Sequence, residues 1–154
     1  MSSFEQFDSR FITFAKNHSP FIARTALFVI YFYFGFLKLV GLSPASDLAL
    51  GFAAKMDAGA FAHELFIGLA LLECLIGVMI LLPKLTRLTI LMMLLHMVLV
   101  CSPIVLYPQA TWDGPFVPNL EGQYIIKNAA LVALALGLVA STRPIKSTKR
   151  LTKK

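Results

Sequence analysis

The chain has 154 residues, of which 58% are hydrophobic and only 14% charged. Soluble domains run nearer half apolar and a quarter charged, and a chain this short has too little interior to hide the excess. The balance excludes disorder, a coiled coil and an ordinary cytosolic globule, and makes the lipid bilayer the expected solvent. The net charge of +6 is then a matter of where the basic residues fall along the chain.

In chain order, the first feature is Phe4, Phe7, Phe11 and Phe14, spaced three to four residues apart, with Glu5, Asp8 and Lys16 off the stripe. That period predicts an amphipathic helix over 1–19 lying flat on the inner membrane surface; a docking helix for a partner subunit is the alternative. Ser19-Pro20 reads as the N-cap and first-turn proline of a new helix. A span needs about 20 apolar residues to cross about 30 Å of hydrocarbon, and four stretches qualify: 21–42, 62–82, 85–107 and 122–140. The first is expected to stay in the mature chain, because some 20 fairly polar residues precede it and Gly41-Leu42-Ser43-Pro44 makes a poor cleavage site. Residues 43–61 mix Leu48, Leu50 and Phe52 with Asp47, Lys55 and Asp57, which predicts a short interfacial helix. Pro83 separates the second and third spans, and Pro103 predicts a kink or early end in the third. Residues 108–121 carry three prolines and read as an irregular external loop, with Tyr107, Trp112 and Tyr124 as an interfacial aromatic belt. Pro144 stops the fourth span, and a basic tail follows. The expected architecture is all-α: a four-span membrane helix bundle (20–141) with an amphipathic helix before it (1–19) and a tail after it (142–154).

Orientation follows from Lys and Arg. Arg10, Lys16 and Arg24, then Lys84 and Arg87, then Arg143, Lys146, Lys149, Arg150, Lys153 and Lys154 share one side, and the opposite loops hold only Lys55. Cytoplasmic loops are the enriched ones, so both termini are expected in the cytoplasm. These residues flank spans and form no groove with stacking aromatics, so nucleic-acid binding has no support.

Ionisable groups inside a span are costly and mark candidate sites. Glu73 lies midway through the second span and His96 midway through the third. The short connection between those spans makes them antiparallel neighbours, so the two side chains meet at one depth. A Glu–His hydrogen bond there satisfies both groups and passes protons to or from a ligand; an inert interhelical clasp is the alternative. Lys38, Lys127 and Asn128 fall nearer the outer end, where both lysines can also reach up to the interface. Arg24, Tyr31 and Lys38 recur every seven residues on one face of the first span. Ala70, Glu73 and Gly77 share a small-residue face on the second that permits close helix approach, and Thr89, Met92, His96 and Pro103 share a side of the third. The polar groups are expected to converge on an interior that opens outward. Cys74 and Cys101 are the only cysteines; without a CxxC, dithiol exchange through a vicinal pair is excluded. No metal or haem is expected, and there is no HExxH, GxSxG or phosphate-binding glycine loop.

Several segments resemble the DoxX-like family of small bacterial four-helix membrane proteins. They are Phe34-Gly35-Phe36-Leu37-Lys38 with Gly41-Leu42-Ser43-Pro44-Ala45, Leu72-Glu73-Cys74-Leu75-Ile76-Gly77, and Pro83-Lys84-Leu85-Thr86-Arg87. The most distinctive are Thr111-Trp112 and the run Pro118-Asn119-Leu120-Glu121-Gly122-Gln123-Tyr124-Ile125-Ile126-Lys127-Asn128. The resemblance implies a bacterial inner-membrane location and a role beside redox systems, including quinone-linked oxidation and oxidative-stress responses. It also implies that Lys38, Glu73, Lys127 and Asn128 form the polar core, whereas His96 is singled out by its depth alone. The leading expectation is a redox-associated membrane subunit holding quinone in an outward-opening pocket. Tyr31, Phe34 and Tyr124 would line it, Lys38 or Lys127 would stabilise a reduced oxyanion, and Glu73 and His96 would be the catalytic proton carriers. Such a subunit needs an oxidoreductase partner, soluble or membrane-bound. Two alternatives stand beside it: a small solute or ion permease, expected to be a homo-oligomer, and a non-catalytic scaffold for an oxidoreductase complex.

Overall fold

A computed structural model describes residues 2–142; the basic tail and its Pro144 stop lie outside the described residues. Helix α1 runs Ser3–Leu39 without interruption, so the amphipathic stretch and the first span are one element instead of two. Its start is a capping box: the Ser2 hydroxyl accepts from the Glu5 N–H, and the Glu5 carboxylate accepts from the Ser2 N–H. Pro20 sits inside the helix. It has no N–H for the Lys16 carbonyl, and that single lost bond does not end a helix with strong formers on both sides. The end is set by Gly41 at φ +72°, where the Leu42 N–H bonds the Leu37 carbonyl (2.9 Å) and the Gly41 N–H bonds that of Lys38 (3.3 Å), a Schellman stop. At 1.5 Å per residue α1 is about 55 Å long, against about 30 Å of hydrocarbon.

The short helix expected within residues 43–61 is α2 (Ser46–Lys55). A 3₁₀ turn, Gly59–Phe61, leads into α3 (Ala62–Ile80), and another, Pro83–Leu85, leads into α4 (Thr86–Cys101). Pro103 ends α4 early and opens a single turn, α5 (Pro103–Leu106). The loop that follows is more regular than its prolines imply. It holds a 3₁₀ turn and a two-stranded antiparallel hairpin, β1 (Trp112–Gly114) with β2 (Val117–Pro118). The Trp112 indole N–H pins the hairpin to the Ile104 carbonyl at 2.9 Å. Helix α6 (Leu120–Ala140) begins at Asn119, whose side chain accepts from the Gly122 N–H and donates to the Ala110 carbonyl.

Four stretches, Ser3–Leu39, Gly59–Ile80, Pro83–Leu106 and Leu120–Ala140, are long and apolar enough to cross a membrane by length and composition. Helix α1 packs along α3 and α4 along α6, with further contacts between α3 and α4 and between α1 and α6. The interior holds Leu27, Ile76, Ile80, Met93, Ala135 and Leu138. The outer faces are just as apolar: Leu71, Leu95 and Val98 are 56%, 64% and 72% exposed, the reverse of a water-facing surface.

Two glycines set the α1–α3 spacing. A methyl group on Gly77 would stand 2.7 Å from the Phe32 backbone nitrogen, and one on Gly35 would stand 2.9 Å from the Ala70 carbonyl and from the Cys74 nitrogen. Helices this close let polar side chains reach across. The small-residue face expected at Ala70 and Gly77 is therefore the contact face, and Gly35 is its counterpart on α1.

Candidate functional site

Just beyond the Gly35 contact, three helices contribute to one hydrogen-bonded chain of four side chains. Lys38 Nζ of α1 pairs with Glu73 Oε2 of α3. His96 Nε2 of α4 lies 3.0 Å from Glu73 Oε1, and the Tyr31 hydroxyl of α1 lies 3.5 Å from His96 Nδ1, at the long limit of a hydrogen bond. All four residues are buried, at 4–8% exposed. The expected meeting of Glu73 and His96 is thus present, and Lys38 and Tyr31 extend it at either end.

Lys38 shares the buried face of α1 with Tyr31 and Gly35, and helix polarity sets the axial direction in which it reaches. Side chains lean toward the N-terminus of their own helix, and α1 runs toward the end of the molecule that carries α2 and the hairpin, called here the loop side. Lys38, in the last turn, therefore leans back into the packed interior and meets Glu73. Helix α6 runs the opposite way, so Lys127 leans toward the loop side, where its ammonium sits 5.3 Å from the centre of the Tyr124 ring. Lys127 is exposed, as are Tyr124 (62%) and Phe34 (44%). These three expected pocket residues face outward from the helix packing, away from the buried quartet. Asn128 is half-buried, and its side chain lies close to the Cys101 thiol of α4. The quartet is itself sealed, with side-chain exposures of 9%, 7% and 4% for Lys38, Glu73 and His96, where an open pocket was expected.

The arrangement has a definite proton chemistry. An ionised Glu73 only accepts, so Lys38 donates to one oxygen and His96 Nε2–H to the other. Nδ1 of a neutral His96 then accepts from the Tyr31 hydroxyl. Adding a proton at Nδ1 requires only that this hydroxyl rotate from donor to acceptor, and the bonds to Glu73 persist. Hydrogen-bonding capacity alone thus places no demand for helix rearrangement on a proton added at that nitrogen.

Arg24, expected on the face of Tyr31 and Lys38, does not join the quartet but forms a second cluster with Thr86, a residue the sequence pattern did not single out. Toward the Pro83 end, the Arg24 guanidinium donates to the Ile80 carbonyl at 2.6 Å and to the Thr86 hydroxyl at 2.7 Å, tying α1 to the end of α3 and the start of α4. A cation beside the last carbonyls of a helix is favoured by its dipole. The signal was available, since Arg24 and Thr86 fall at one depth on spans with short connections. Neither Cys74 nor Cys101 is in a disulfide. Among the described residues no group of three or more His, Cys, Asp or Glu side chains is placed to hold a metal ion.

Comparison of the chain with protein-family models, curated proteins and solved structures finds no match.

Proposed function

We propose that the protein is an integral membrane four-helix bundle that holds a quinone-class ligand against the Lys38–Glu73–His96–Tyr31 chain and exchanges protons with it. The observation that carries this reading is Glu73 itself: a carboxylate inside an apolar helix packing, its two oxygens shared between a lysine and a histidine from two other helices. Groups this costly to bury among hydrocarbon mark functional sites. Helix length, apolar outer faces and the one-sided Lys and Arg distribution support a multi-pass protein of the bacterial inner membrane with cytoplasmic termini. The ligand headgroup would dock at the loop-side edge of the quartet, where Lys38 supplies a cation for a developing oxyanion and the Glu73–His96 pair takes or returns the proton. Electrons would pass to or from an oxidoreductase partner, in keeping with the DoxX-like resemblance.

The test is extraction of the purified protein with organic solvent and quantification of quinone. Bound quinone in the wild type, lost in Glu73→Gln, supports the reading; no quinone in either, together with quinol oxidation unaffected by Glu73→Gln in native membranes, overturns it. The sealed quartet also favours a second reading, a purely structural clasp within a scaffold subunit. Every buried polar side-chain atom among the described residues already has a partner. In that case Glu73→Gln lowers stability and leaves quinone content unchanged.

A further inference from the structure

Two polar runs lie end to end in the helix interior and do not meet. The first is the quartet, which ends at Tyr31 and His96. The second, toward the Pro83 end, comprises Arg24 with Thr86, and Thr89, whose hydroxyl is turned back to its own helix at the Leu85 carbonyl (2.9 Å). Along α1, Tyr31 and Arg24 are about 10 Å apart in axial rise, and the buried residue between them on that face is Leu27. On α3, Ile76 lies between Glu73 and Ile80. On α4, Ile90 and Met93 lie between Thr89 and His96. These four side chains are 0–3% exposed and belong to one contiguous cluster. None can donate or accept a proton, and a water in their place would lack the polar partners it needs. In the other direction the way out is short, because Lys38 lies within one turn of the Gly41 stop.

We propose that the quartet exchanges protons with the loop-side aqueous phase alone, and that the Leu27, Ile76, Ile90 and Met93 layer is the barrier against proton conduction through the protein. The proposal rests on the membrane reading above and adds to it the compartment: protons released or taken up by the bound ligand come from one side. The titratable or polar groups facing the quartet leave this unchanged. Cys74 lies beside Glu73, and Cys101 with Asn128 lies beyond Tyr31 toward α6; neither bridges the layer. The geometry also argues against an ion pathway, which would need polar groups along its whole length.

The experiment uses the full chain in liposomes with an internal pH-sensitive dye, an imposed pH gradient and the membrane potential clamped. Wild type and Glu73→Gln are expected to dissipate the gradient no faster than protein-free vesicles. Met93→Glu, which sets a carboxylate between His96 and Thr89, is expected to speed dissipation by about tenfold or more, because a carboxylate at that depth draws in water. Met93→Leu is expected to match wild type. Glu73-dependent flux in the wild type overturns the barrier, and so does unchanged flux in a vesicle-retained Met93→Glu. Should Met93→Glu fail to insert, the wild-type and Glu73→Gln pair decides alone. A wild-type chain stripped from the vesicles by alkaline carbonate contradicts the membrane reading, and the barrier with it; a retained chain with Glu73-dependent flux contradicts the barrier only.

Discussion

Gly77 carries the most quantitative prediction, because its neighbour on α1 is backbone and cannot rotate away. In Gly77→Ala the new methyl stands 2.7 Å from the Phe32 nitrogen, 2.9 Å from its Cβ and 3.0 Å from its Cα, where ordinary contact begins at 3.4 Å. Helices α1 and α3 must part by about 0.7 Å along that line. Overpacking of this kind costs about 1–3 kcal/mol. The alanine returns about 0.5–1 kcal/mol of helix propensity, leaving a net loss of up to about 2.5 kcal/mol. The same helix supplies its own control: a methyl group on Gly68 would meet nothing within 4 Å, so Gly68→Ala is expected to be neutral or stabilising. Reversible unfolding in mixed micelles, titrated with a denaturing detergent and followed by circular dichroism, reads both variants. The separation also pulls Glu73 from Lys38, so Gly77→Ala should lower quinone content where Gly68→Ala does not. Equal stability of the two variants would refute the claim that glycine contact sets the spacing of the site.

The other predictions concern the ion pair, the hairpin and a helix stop. Lys38→Met leaves Glu73 without its cation and is expected to cost about 3–5 kcal/mol by the same unfolding assay, with Lys38→Met/Glu73→Met recovering most of that loss. Gly122→Ala would place a methyl 2.1 Å from the Thr111 carbonyl, which also accepts from the Asn119 N–H; it is expected to open the 108–119 segment to limited proteolysis before the helices unfold. Asn119→Ala removes the α6 cap and should cost about 1–2 kcal/mol. Asp57 ends α2 with φ 57°, a left-handed conformation that favours glycine, so Asp57→Gly should raise stability by a few tenths of a kcal/mol, on the order of the strain relieved less the entropy added.

The helical class, the four apolar stretches and the depth match of Glu73 with His96 are legible because hydropathy and the 1.5 Å rise act locally along the chain. The first helix boundary misleads for a local reason too: Ser19-Pro20 looks like a helix start, but a proline inside a long helix forfeits one bond and is tolerated. Lys38 and Lys127 look equivalent by depth. What separates them is the helix face: Lys38 shares the buried face of α1 with Tyr31 and Gly35, whereas Lys127 is exposed with Tyr124, off the Gly122 and Ile125 face of α6, and side-chain lean sets only the axial direction in which each then reaches. Phe34 and Tyr124 group with the site by aromatic character, which carries no information about which face they occupy. Thr86 meets Arg24 from 62 residues away, so the periodicity of one span does not reveal it and only matched depth on neighbouring spans points to it; the Asn119 cap, by contrast, is a local contact with the Gly122 N–H.

Titration of a short-chain quinone analogue into the nanodisc-embedded protein decides whether the carboxylate shared between Lys38 and His96 is a ligand site. Saturable binding by wild type is expected, with about a tenfold weaker Kd for Glu73→Gln, equivalent to about 1.4 kcal/mol, and the helix content of the variant retained. Saturable binding of equal strength by both proteins, or none by the wild type, would contradict a ligand site there.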